Sequence, residues 1–158
     1  MGHYISGIVG RADDLSRFAQ DHGLHSPAKL IGELGFLPLS DEHLDHLFPE
    51  QGDFDHRMTY LSEALKEALL GLSQRGAVAY IETEYHGGQR GQAGVAYDRG
   101  ECVYGPRRDR FGPISEALAF LGVQGEVGGI DAFQAAGFGR HRHNEDWIEE
   151  SNPADSRA

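Results

Sequence analysis

The chain has 158 residues, 39% of them apolar and 25% charged, which is enough for one ordinary core and too apolar for a disordered polymer. Twenty-five Asp and Glu against fourteen Lys and Arg give a formal net charge of −11; this disfavours nucleic acid as a partner, because a polyanion binds by releasing counterions to cation clusters. Cys102 is the only cysteine, which excludes an internal disulfide, a CxxC redox pair and a cysteine-based zinc knuckle and points to a reducing compartment.

The opening Met1-Gly2-His3-Tyr4 carries no basic segment followed by an apolar one, so no secretory leader is expected. No apolar run approaches the roughly 18 residues of a membrane span, and the expected location is the cytoplasm. The expected architecture is one α+β domain over 1–150 with a disordered tail over 151–158. Its sheet should be mixed or antiparallel, with four to five strands and helices packed mainly on one face.

Taken in chain order, the apolar run over 4–9 predicts a strand that stops at Gly10. Leu15, Phe18 and Ala19 then recur at helical spacing behind Asp13 and Asp14, which predicts a short amphipathic helix capped by carboxylates and closed by Gly23. Leu30-Ile31 reads as a brief strand. The run over 35–39 reads as an edge strand, because Pro38 has no N–H for a ladder on both sides. Ser40 can cap a helix carrying Leu44, Leu47 and Phe48, ended by Pro49. Met58, Leu61, Leu65, Leu69 and Leu72 predict a core helix over 54–75, with Gly71 inside it at a cost of about 1 kcal/mol and Gly76 at its end.

The segment over 77–85 predicts a central strand, continuous in apolar residues as far as Ile81 and alternating after it. Glycine-rich turn chemistry over 87–92 and a tight Asp98-Arg99-Gly100 turn predict a meander with strands over 93–97 and 102–104. Pro113 opens one more helix with Ile114, Leu118 and Leu121 on one face and Gly122 as its stop. Asp131 is expected to cap one more short turn through Phe133 to Ala136.

Several residue groups carry possible chemistry. The glycine-rich run over 87–94 lacks the Lys-Ser/Thr ending of a phosphate loop and leads into a strand rather than a helix, so it reads as a plain hairpin. His141 and His143 stand two apart on an extended segment, where both imidazoles could share an ion; the simpler reading is a surface loop, and neither a metal nor a cofactor is expected. Cys102 reads as a small buried hydrophobe. Glu82 and Glu84 alternate along the central strand and so project from one face, with Tyr80 beside them. Such a pair can act as acid and base in a hydrolase, and a metal-dependent or carboxylate-based enzyme using His141, His143, Glu82 and Glu84 is the alternative reading. No triad or nucleophile elbow completes a site, so a partner-facing role is preferred and no catalytic residue is assigned. Asp41, Glu42, Asp45, Glu50, Asp53 and Asp55 crowd six carboxylates among Phe48, Phe54 and Tyr60. Acids of this kind steer a basic partner and aromatics anchor it. The partner-binding set is therefore Asp41, Glu42, Asp45, Asp53, Asp55, Glu82, Glu84 and Tyr85.

The run Gly76-Ala77-Val78-Ala79-Tyr80-Ile81-Glu82-Thr83-Glu84-Tyr85-His86-Gly87-Gly88, the opening 3–9 and the segment 138–147 with its His141-Arg142-His143 resemble small bacterial proteins whose motifs carry no assigned chemistry. Chains of this size and acidity are similar to immunity proteins of bacterial toxin systems. The resemblance implies binding of a cognate toxin in the cytosol and supplies no catalytic residue.

Overall fold

The computed structural model describes residues 3–30, 32–39, 63–86, 89–109 and 113–122. The expected helices behind Ser40 and Asp131, the first part of the helix over 54–75 and the tail over 151–158 lie outside these residues. Strand β1 (His3–Arg11) leads into α1 (Ala12–Asp21), then β2 (Ala28–Lys29) and β3 (Leu34–Pro38). Helix α2 (Glu63–Leu72) runs into a 3-10 turn at Ser73–Arg75 and is followed by β4 (Val78–His86), β5 (Gln89–Asp98), β6 (Glu101–Asp109) and α3 (Pro113–Ala119). The strands form one six-stranded sheet in the order β2-β3-β1-β4-β5-β6, and each of the five pairings is antiparallel. The fold is thus α+β, with more strands than the four or five expected.

The additional strand is the two-residue β2 at Ala28–Lys29, just ahead of the expected Leu30-Ile31; Leu30 is outside it, and Ile31 lies outside the described residues. Strand β2 moves β3 away from the sheet edge that Pro38 implied. The backbone shows why the proline is tolerated. Leu39 donates its N–H to Ser6 O on β1 at 2.9 Å. Backbone groups alternate sides along a strand, so the nitrogen of Pro38 faces away from β1. On that side β2 reaches only Phe36 and Gly35, and no donor is needed at Pro38.

Helix α1 forms where the spacing places it and buries Leu15, Phe18 and Ala19. Its start departs from expectation. Arg11 occupies the capping position without a side-chain bond, the Ala12 N–H is taken by Glu33 O at 2.9 Å, and Asp13 and Asp14 fall in the first turn, where they complement the helix dipole. Its end closes on a glycine with positive φ: Leu24 N–H reaches Ala19 O at 2.8 Å, Gly23 N–H reaches Gln20 O at 3.3 Å, and Gly23 takes φ 68°.

The core has two layers because the central strands are apolar on both sides. Ile8, Val78, Tyr80 and Val95 face α1 and α2, where Leu15, Phe18, Leu65 and Leu69 cover them. Val9, Ala79, Ile81 and Ala96 face the opposite way, against Phe36 and against Ile114, Ala117 and Leu118 of α3. Helices therefore cover both faces, two of the three described on one side. Each fully buried aliphatic or aromatic side chain contributes about 1.5–3 kcal/mol. Gly94 lets α3 come close: a Cβ there would lie 2.7 Å from Pro113 O and 3.3 Å from the Ala117 Cβ. Gln92, itself buried, accepts the Ile114 N–H on Oε1 at 2.8 Å and satisfies the start of α3 from a neighbouring strand.

The antiparallel meander forms as expected, but its strands are longer: residues 89–92, read as turn, belong to β5, and β6 runs on to Asp109. The β4–β5 pairing extends to His86 opposite Gln89, so the residues over 89–94 are strand and not a cradle. Arg99 and Gly100 join β5 to β6 with φ of 52° and 77°, the two positive values a two-residue turn of this hand requires.

Candidate functional site

Register brings four residues of four strands into one row. Ser6 of β1 stands opposite Glu82 of β4, Glu82 opposite Ala93 of β5, and Ala93 opposite Arg108 of β6. Partners in an antiparallel ladder share a face, and this row lies on the side that α1 and α2 cover, next to Tyr80. Ala93 is small enough for a side chain to pass over it. Arg108 does so, donating from Nη2 to Glu82 Oε1 at 3.1 Å, while the Tyr80 hydroxyl donates to Oε2 at 3.0 Å. Ser6 donates its hydroxyl to Leu39 O at 2.7 Å. Glu82 is 5% exposed.

Both Glu82 oxygens thus accept charge-assisted or hydroxyl hydrogen bonds from the chain itself, which satisfies polar atoms that burial has removed from water. The sequence places Glu82 on a partner-facing edge; the structure places it inside, as a tie from β4 across β5 to β6. Glu84 and Tyr85 lie further along β4, opposite Gly91 and Arg90 in the backbone register. Asp41, Glu42, Asp45, Asp53, Asp55, His141 and His143 lie outside the described residues.

A second polar cluster sits on the other face. Glu116 of α3 accepts the Tyr104 hydroxyl and Arg107 Nη1, the latter at 2.6 Å, and Arg107 Nη2 reaches Asp109 at 3.2 Å. The Tyr104 ring also meets Phe120, with centroids 5.9 Å apart. Burial, then the hydrogen bond to Glu116 and its charge, push the Tyr104 phenol up to about 12, against the opposing pull of Arg107. Arg107 and Arg108 are consecutive and therefore serve opposite faces of the sheet. Cys102, read as buried, is exposed on this outer strand, with Sγ 3.5 and 3.4 Å from the carbonyls of Tyr104 and Gly105.

Arg108 is the site residue that sequence reasoning missed, and the cause is local. An unbroken hairpin from the Asp98–Glu101 pair sets Pro106 opposite Ala93. Two irregularities, between Gly94 and Ala96 and between Ala96 and Tyr97, slip the register and bring Arg108 there instead. Ser73 was missed as well. It is fully buried, donates to Leu70 O at 2.7 Å and accepts the Gly100 N–H at 3.0 Å, while its carbonyl accepts the Arg99 N–H at 2.9 Å. It locks the β5–β6 turn to the end of α2.

A shallow open depression of about 280 Å³ lies between the start of α1 and the β2–β3 connection. Arg11, Asp13, Lys29 and Glu33 line it, and Arg11 and Glu33 pair with each other at 3.5 Å. Among the described residues no group of three or more His, Cys, Asp or Glu is placed to hold a metal ion, and no helix is long and apolar enough to cross a membrane. Comparison with known proteins returns no family model, no curated protein and no solved structure that matches this chain.

Proposed function

We propose that this chain is a protein-binding module of the immunity type, a cytosolic protein that neutralises a cognate bacterial toxin by seating on it and occluding its active site. The observation that supports this reading is the charge. The chain carries −11 overall, while Arg11, Lys66, Arg107 and Arg108 are all paired with the chain's own carboxylates. What remains to act at a distance is a surplus of negative charge, and such a field concentrates and orients a basic partner. The proposed contact surface comprises Asp41, Glu42, Asp45, Asp53 and Asp55 with Glu84 and Tyr85. Glu82, tied to Arg108, supports from within the strand that carries Glu84 and Tyr85.

The test is a calorimetric titration of the purified chain with basic proteins encoded beside it, at ~50 mM and ~500 mM salt, conditions that move the screening length by several-fold. A one-to-one complex that weakens with salt, and weakens when Asp41, Asp45, Asp53 and Asp55 are changed together to Lys, supports the reading. Absence of a complex with any neighbouring product, or a complex indifferent both to salt and to the four substitutions, overturns it.

A further inference from the structure

We draw no further inference here: the strongest candidate, the exposed apolar surface that Val103 presents on β6 and Phe120 just past α3, carries nothing because nothing in the structure shows what covers it.

Discussion

Strands β1 and β4 at the centre of the sheet and β6 at its edge are held by different physics. The central pair is apolar on both sides, and Ile5, Ile8, Val9, Ala79, Tyr80 and Ile81 are at most 1% exposed. Most residues of β6 are exposed, and polar ties hold it, one through Arg108 to Glu82 and one through Arg107 to Glu116. The centre depends on removing non-directional apolar surface from water, so it tolerates small geometric error. The edge depends on a few directed bonds, each with one correct register. The outer strand therefore combines weak burial with strict positional demand, and substitutions can separate the two effects.

The largest effect belongs to the centre. Phe36 is fully buried between β1 and the layer under α3, and Phe36→Ala should cost about 3–5 kcal/mol through lost transfer energy and the cavity left behind. Denaturant unfolding measures it. A loss under about 1 kcal/mol would mean that this face of the sheet is not a packed core.

Next comes the buried tie at the edge. Arg108→Ala leaves the Glu82 carboxylate without its cation, and the expected loss is about 2–4 kcal/mol, because an uncompensated buried charge is costly. Replacing Glu82 and Arg108 together with Leu should recover most of that loss, since well-packed apolar groups often match a buried pair. A double-mutant cycle reads the coupling. If the double replacement is as unstable as the sum of the singles, Glu82 and Arg108 do not act as a pair and the contrast with the centre fails.

The same contrast explains how much of the molecule could be read in advance. Elements whose signal is periodic burial were legible: β1, α1, the end of the long helix, β4 and α3 follow from the positions of Leu15, Phe18, Leu65, Leu69 and Ile114. The tight turn at Arg99-Gly100 was legible because only a few residues accept two positive φ values. Elements set by pairing were not. Residues Ala28 and Lys29 form a strand only because β3 is there to receive them, and Pro38 looks like an edge signal until the side its nitrogen faces is known. The candidate site divides in the same way. Alternation put Glu82 on a face, but whether that face meets water or a guanidinium depended on two slips in the β5–β6 register. No local spacing encodes them.

Ser73 offers a smaller test at the junction of the two regimes. Ser73→Ala removes the hydroxyl that receives the Gly100 amide and bonds to Leu70 O, leaving part-buried groups short of a partner at an expected cost of about 1–2 kcal/mol. Native-state hydrogen exchange should locate the loss in the β5–β6 turn and leave the β1–β4 amides nearly as protected as before. A uniform loss of protection would show that edge and centre open as a single unit.

The smallest expected effect lies in the outer tie, and pH resolves it better than denaturant. Folding raises the Tyr104 phenol from 10.0 to about 12, so the folded state holds this proton more tightly than the unfolded chain does. The stability linked to it is complete below pH 10 and is lost as the pH rises towards 12. Subtracting the tyrosinate absorbance titration of Tyr104→Phe from that of the unaltered protein isolates this one residue. Its midpoint should stand near 12. Glu116→Gln removes the neighbouring negative charge but keeps a hydrogen-bond acceptor, and the midpoint should fall while thermal stability changes by at most about 1 kcal/mol, as expected for a half-exposed cluster. Of the two edge ties, only the inner one would then be a structural necessity, and the outer one a solvent-screened contact that salt weakens further. A midpoint unmoved by Glu116→Gln would mean that burial alone raises Tyr104, and that β6 is bound to α3 by the Tyr104 and Phe120 rings rather than by charge.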